Sequence, residues 1–371
     1  SADAVAAGRF SLVLEDALRA CQPILAEASA GWVLDDFALA RASGGRSLST
    51  LGCYLFERSG LIEHFSLDRS KLGRFFEEVE SGHDEANPYH NRVHVASVLH
   101  KMHALLAQTD LAGRVVQGLA AEAGDASSEE PLVRLACLLA AAVHDYQHRG
   151  VSNDFLIRTC DEWAIRYNDS HVSESHHLAA AFSLLMQPEF SFLDVLSANQ
   201  FRRLRGYVIS MVLGTDLADH GSIMQGMASA MERPAGAHEG FLPRTDKEAR
   251  LLLQLAIKAC DLGHLTLPWG SHLCWVALLE EELFAQGDRE KELGLSPISF
   301  LADREKPGVS DTQLGFFEAL VLPLFRSLAL AVPMAKRMLT AVEENHHRWK
   351  VASPGVKEEM REALAVARPS G

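Results

Sequence analysis

The chain of 371 residues lacks any apolar run near the ~20 residues that a membrane-spanning helix needs; its longest, such as 135–143, are far shorter. It also lacks the basic-then-apolar order of a signal peptide, since Asp3, Glu15 and Asp16 come early. No C-x-x-C pair occurs. The cysteines (Cys21, Cys53, Cys137, Cys160, Cys260, Cys274) are scattered, several within apolar helical patterns. That pattern reads as free, mostly buried thiols in a reducing compartment. Basic residues are in deficit: 35 Lys+Arg against 49 Asp+Glu give a formal net charge of −14. Such a charge argues against nonspecific binding of a nucleic-acid polymer. No alternating apolar and polar run with β-branched or aromatic enrichment suggests a sheet. There is no internal repeat and no low-complexity block. The chain therefore reads as cytoplasmic, helical and without a membrane span. Its first residue is Ser1 rather than Met, compatible with excision from a larger, even membrane-attached, protein.

What is present is helical periodicity. Residues 10–28 are amphipathic and rich in Ala and Leu, and 132–143 are almost wholly apolar, as a central buried helix would be. Apolar spacing of i, i+3, i+4 marks 198–213, 246–260, 271–286 and 312–330. Asn87 followed by Pro88 offers a helix start, an N-cap side chain and then a residue whose missing N–H is harmless in the first turn. Composition marks loops at 120–131, 232–244 and 293–310, the last long enough to be functional. An all-α domain with its site between helices is expected.

Three segments carry chemistry. Asn-Pro-Tyr-His-Asn-Arg-Val-His occupies 87–94, His-Asp-Tyr-Gln-His occupies 144–148, and Asp261 follows a long apolar stretch. His90 and His94 are four apart, which places them on one helix face. His144 and Asp145 close an apolar helix, and His148 reaches the same locality. Imidazole nitrogen and carboxylate oxygen are ligands for Zn²⁺ and similar ions. Carboxylates beside apolar helices are expensive unless a cation compensates them. An adjacent His-Asp pair can serve a dinuclear centre, with the carboxylate bridging. Two divalent ions clamp a phosphoryl group and acidify a shared water, whose hydroxide attacks phosphorus in line. A further histidine protonates the leaving alkoxide.

With these residues stand GGRSL (44–48), HDYQHRGVSNDFL (144–156), YND…ESHH (167–177), MVLGTD (211–216), ACDL (259–262), FAQGDREKELGL (284–295) and TQLGFFEALVLPLF (312–325). In this order and spacing, from Trp32 to Trp349, the chain resembles the catalytic domain of class I cyclic nucleotide phosphodiesterases, closest to the calmodulin-regulated, dual-substrate branch. The resemblance implies a compact multi-helix domain with an HD-type metal site, here spanning 32–350. Residues 1–31 would be a helical extension, packed on the domain or leading to a regulatory region, and 351–371 a tail.

Carried onto this chain, the resemblance implies a zinc ion on His94, His144, Asp145 and Asp261. A second ion, Mg²⁺ or Mn²⁺, would share Asp145, with its waters held by His148, Glu174 and Thr215. His90 would be the general acid, oriented by Glu282. Gln313 would bond the purine edge, between Phe316 and Leu279, with Tyr89 and the 293–310 loop lining the pocket. The substrate would be cAMP, cGMP or both, and the partner a regulatory domain or a second copy. Taken without the resemblance, Phe316 and Leu279 read as core residues, and Glu282 as part of a solvated acidic run. Three positions depart from the family pattern. Ser97 stands where Asp is usual, Ser175 stands where Asn is frequent, and His264 occupies a position that varies with selectivity. The alternatives are an HD-type hydrolase of another nucleotide and a weakly catalytic cyclic-nucleotide-binding scaffold.

Overall fold

Apolar spacing and polar caps divide the chain into helices, and a computed structural model describes residues 9–123, 129–232, 239–351 and 355–367. Among the described residues there is no strand. Caps account for many of the helix starts. Asp68 accepts from the N–H groups of Ser70 and Lys71, Thr245 from that of Glu248, and Ser197 with Gln200 forms a capping box.

The 129–143 helix is the anvil of the fold. Leu132, Val133 and everything from Leu135 to Val143 are buried, so the helix is surrounded by others rather than amphipathic. It packs against Ala198–Leu213 and Arg92–Gln108. Arg134 escapes the apolar environment by reaching Glu130 and the carbonyl of Leu106. Asp246–Asp261 packs on Ala198–Leu213 and on Arg92–Gln108. Its buried Lys258 donates to the carbonyls of Gly214 (2.9 Å), Thr215 (3.3 Å) and Asp216 (3.1 Å). A cation thus satisfies the orphan acceptors at a neighbouring helix's C-terminus and fixes the Thr215 turn.

Several expected elements shift. The 10–28 segment is two helices, Leu12–Ala20 and Gln22–Ala30, broken at Cys21, where Pro23 opens the second. Both pack on the body: Leu14, Cys21 and Leu25 are fully buried, and His100 and Gln108 bond the carbonyls of Ala28 and Ala30. The 312–330 segment begins earlier, at Val309, and contains a π-helical stretch, Phe317–Val321, just before Pro323. Proline cannot donate to the i−4 carbonyl, and the wider turn relieves its clash. Asn87 and Pro88 do not start a helix. Asn91 is the cap of Arg92–Gln108, and the preceding residues form a turn.

Of the expected loops, 293–308 is irregular as read. The 120–131 segment is shorter than expected, because helices run to Ala123 and from Glu129, and 124–128 lie outside the described residues. Within 232–244, residues 233–238 likewise lie outside them. One element runs against the expected absence of a span. Val309–Ala331 is long and apolar enough to cross a membrane by length and composition. It packs, however, on Asp246–Asp261 and Lys336–Val351, and it carries the buried Gln313, as a core helix does. Val356–Ala367 also packs back, along Trp269–Glu292.

The long loop is pinned to that last helix. Ser299 bonds Glu290 through both N–H and hydroxyl, and Lys291 pairs with Asp303 at 2.8 Å. Gly287 lets the loop approach: a Cβ there would sit 1.8 Å from the carbonyl oxygen of Ala302. Gly287→Ala is therefore expected to lower stability by about 1–3 kcal/mol through overpacking against backbone, read as a fall in thermal midpoint. Gly270→Ala, whose Cβ would meet nothing, is expected to show no such fall.

Candidate active site

Three helix termini meet at one point. Arg92–Gln108 begins there: the Asn91 side chain accepts from the N–H of Val93 (2.9 Å) and His94 (3.4 Å), setting His94 in the first turn. Glu129–Val143 ends there and delivers His144 and Asp145 just past its last turn. Asp246–Asp261 ends there in Asp261. One donor atom from each of His94, His144, Asp145 and Asp261 lies within 4.8 Å of all the others. His94 Nε2 is 3.2 Å from Asp261 Oδ1 and 3.4 Å from Asp145 Oδ2. His144 Nε2 is 3.1 Å from Asp145 Oδ2 and 3.4 Å from Asp261 Oδ1.

The group fits a divalent cation. His144 Nδ1 bonds the carbonyl of Ala141 at 3.0 Å, which fixes the ring proton there and turns the Nε2 lone pair inward. His144 Nε2 and Asp145 Oδ2 are both buried and have no hydrogen-bond partner. Such orphans are rare and call for a missing partner. Burial opposes charge on His144, yet the carboxylates hold its pKa well above the ordinary value. Against the same burial, the histidines hold Asp145 and Asp261 well below theirs. The cavity is negative and favours positive charge.

Around this core the water-holding candidates are distributed. His148 and Asp145 share a second donor cluster with His177, whose Nε2 is 3.9 Å from Asp145 Oδ1. His148 Nδ1 accepts from the Gly150 N–H at 3.0 Å. Burial, then the charge on His90, pushes the His148 pKa down to about 4. Glu174 lies in a neighbouring cluster with His171 and Asp216, held by Asn153 at 2.9 Å. Its pKa is raised to about 7 by burial and by Asp216. The Thr215 hydroxyl donates to the carbonyl of Val212 at 2.7 Å, leaving its oxygen as an acceptor. Ser175 is half-buried, and its hydroxyl donates to the Ser170 carbonyl at 3.4 Å.

His90 is not on the helix face of His94, as its spacing suggests. It sits in the turn before Asn91, and their rings are 5.6 Å apart. That turn is built by amides. Asn87 donates to the carbonyls of His90 (3.1 Å) and His148 (2.8 Å), and Asn91 to those of Asn87 (2.9 Å) and Pro88 (3.1 Å). Glu282 Oε2 accepts from the N–H groups of Tyr89 and His90, both at 2.9 Å, while Oε1 holds His90 Nδ1. Burial works against a proton on His90, but the Glu282 carboxylate outweighs it and raises the pKa to about 9. At neutral pH, His90 is charged and its neighbour His148, stacked at 4.1 Å, is not.

Among the residues expected to hold the base, Gln313 is 3% exposed. Its Nε2 donates to the Val309 carbonyl at 3.1 Å, and its Oε1 is buried without a partner. Phe316 and Leu279 are half-buried and pack against the main core. Tyr89 lies over His94 at 4.6 Å and against Trp275 at 5.4 Å. His264 is buried in a relay. Trp349 Nε1–H donates to His272 Nε2 at 2.8 Å, so the His272 proton is on Nδ1, 3.3 Å from His264 Nδ1. Sequence reasoning missed His177, although the ESHH motif contained it. It also missed Trp275, for which no local signal exists.

A profile of the 3'5'-cyclic nucleotide phosphodiesterase family matches residues 89–342. The chain is 37% identical over 293 residues to a dual specificity calcium/calmodulin-dependent 3',5'-cyclic nucleotide phosphodiesterase 1 of Drosophila melanogaster, covering 79% of this chain and 32% of that protein. It is 36% identical over 298 residues to the 1B form of Mus musculus, covering 80% and 51%. The chain thus spans from about a third to about half of the length of these curated relatives. Among solved structures, the phosphodiesterase domain of Salpingoeca rosetta rhodopsin phosphodiesterase superposes with a TM-score of 0.76 at 25% identity, covering 93% of this chain and 97% of that one.

The purified chain is expected to carry divalent cation measurable by elemental analysis. Asp261→Asn should weaken its retention by more than the roughly 10–100-fold that loss of an outer hydrogen-bond partner costs. Ser175→Ala should leave it unchanged.

Proposed function

The chain belongs to the 3'5'-cyclic nucleotide phosphodiesterase family, and on that premise we propose that it opens the cyclic phosphate of cAMP, cGMP or both to the 5′-monophosphate. The observation that carries this reading is a buried donor set with two orphaned atoms, His144 Nε2 and Asp145 Oδ2, beside a histidine that Glu282 keeps protonated. His94, His144, Asp145 and Asp261 would hold zinc. Asp145 would reach a second ion, Mg²⁺ or Mn²⁺, whose waters His148, Glu174 and Thr215 would order. When bound, such ions acidify a water and neutralise phosphoryl oxygens.

The chain's own residues do the rest. Glu282 takes the Nδ1 proton of His90 as its hydrogen bond, so the Nε2 proton is free to be delivered to the departing 3′-oxygen. Neutral His148 stacks behind that ring and adds no competing charge. Gln313 presents Oε1 as an acceptor. Either purine supplies a donor to it, the 6-amine of adenine or N1–H of guanine, and this supports acceptance of both. Phe316 and Leu279 would grip the base. The calcium/calmodulin dependence in the relatives' names supports a regulatory partner of that kind, and the reducing-type cysteines support a cytoplasmic setting. Against a catalytically weak scaffold stands the complete donor set with its acid. Against an unrelated nucleotide hydrolase stands the family match over residues 89–342.

Hydrolysis of both nucleotides is expected, abolished by chelator and restored by added divalent ion. His90→Ala should retain cation yet lose roughly 10²–10⁴ in kcat. Undiminished turnover in a His90→Ala, Asp261→Ala double variant overturns the assignment. Glu282→Gln removes the charge that raises the His90 pKa. The acid then loses its proton at lower pH, so the alkaline limb of the kcat profile should move toward neutrality.

A further inference from the structure

We propose that Asp36 is a positioning residue for the active site, aligning the helix that carries His94 with the helix that carries Glu282. Asp36 opens the Asp36–Ala42 helix and is 3% exposed. Its Oδ2 accepts from the Ser97 hydroxyl at 3.0 Å and from Trp275 Nε1–H at 3.1 Å. Both anchor points are placed by helical spacing. Ser97 is three residues beyond His94, on the same face of Arg92–Gln108. Trp275 is seven residues before Glu282, two turns along the same face of Trp269–Glu292. One carboxylate therefore ties a point one turn from a metal ligand to a point two turns from the group that holds the acid.

The link runs on through the indole. Trp275 packs on Phe37 at 5.2 Å, edge-on to Tyr89 at 5.4 Å, and against His94 at 6.0 Å. Tyr89 in turn lies on His94 at 4.6 Å and gives its N–H to Glu282. Rotation of the indole would move the surface behind both the metal ligand and the acid's anchor. The Asp36 bond to Nε1–H sets that rotation.

A buried carboxylate is costly where packing alone would serve, and here its second oxygen, Oδ1, has no partner at all. Two charges lie near it, Asp35, which caps its helix, and the buried Lys101 of the facing helix. Lys101 spends its ammonium on the Trp32 carbonyl at 2.7 Å and makes no ion pair with Asp36. The carboxylate is thus held by the two groups it aligns. Ser97, where the family pattern has a carboxylate, is one of them. The charge has not been lost from this place but arrives from another helix.

The inference rests on the phosphodiesterase reading, and the two fail separately. Turnover by the unsubstituted chain reports on the reading, and the ratio of variant to parent reports on Asp36. Asp36→Ala is expected to lower kcat by about tenfold to a hundredfold with KM within about twofold, because the acid and the ligand are misaligned while the base slot is untouched. Ser97→Asp in that background places a carboxylate within reach of Trp275 from the other side and should recover most of the loss. A general loss of stability would not be rescued in kcat alone. Trp275→Phe keeps the ring and removes the donor. It should reproduce the Asp36→Ala loss, and the pair should be non-additive in a double-mutant cycle. Trp275→Phe carries the test if Asp36→Ala does not fold. Parental kcat in a folded Asp36→Ala or Trp275→Phe variant overturns the proposal, as does a folded double variant in which Ser97→Asp recovers nothing.

Discussion

The structure depends on a single electrostatic constraint, two carboxylates and two imidazoles brought together where three helix termini meet. Burial of such groups without compensation costs several kcal/mol per ion, so their positions cannot be a by-product of packing. The apolar 132–143 stretch makes the point buried, since its side chains are surrounded on all sides. The capped start of Arg92–Gln108 makes it narrow, because the Asn91 cap fixes where His94 enters. Lys258 holds the adjoining corner by binding three carbonyls that end another helix. Each device turns a local rule about helix ends into a coordinate of the site.

Histidines of identical chemistry then take different roles from their surroundings. His144 gives one nitrogen to the Ala141 carbonyl and leaves the other for a cation. His90 has a carboxylate on Nδ1, which keeps it charged. His148 is kept neutral by burial and then by the charged His90 ring stacked on it, while its Nδ1 accepts an amide N–H. His272 gives its Nδ1 proton to His264 Nδ1 as a hydrogen bond, in a place where burial disfavours charge on either. In the proposed reading, the partner of the second nitrogen separates acid from ligand, and burial keeps the remaining rings neutral.

How much of this was legible in the sequence follows from the range of the forces involved. Helices were legible because periodicity is local. Their breaks at Cys21 and at the π-helical stretch were less so, although Pro23 and Pro323 signalled both. The four-residue donor set was legible because adjacent or helix-terminal residues carry it. The placement of His90 was misread, because a four-residue spacing means a shared face only inside a helix, and the amides of Asn87 and Asn91 make a turn instead. Asp36 and Trp275 gave no sign at all. They meet across 239 residues of chain, and a buried hydrogen bond between distant helices leaves no periodic trace. Glu282 looked like one of three surface glutamates, and only its reach to two N–H groups of a remote turn distinguishes it.

Helix ends explain why a site of this kind forms so readily in an all-α chain. The middle of a helix has no spare backbone groups to offer, whereas each end leaves several unsatisfied. The donors that orient this site draw on such groups. The Ala141 carbonyl turns His144, and the Tyr146 carbonyl turns His177 at 2.6 Å. Two helices, Glu129–Val143 and Asp246–Asp261, direct their C-termini at the donor set. The partial negative charge of those ends adds to that of Asp145 and Asp261 and favours a cation there. The neighbouring His90 is treated in the opposite way. His90 is fed by a carboxylate from mid-helix, Glu282, whose own position needs a distant tie to be exact enough. The donor set is therefore written into the ends of helices, while the placing of His90 depends on the registration of one helix against another. The second is the more fragile, and the Asp36 bridge stands on that line.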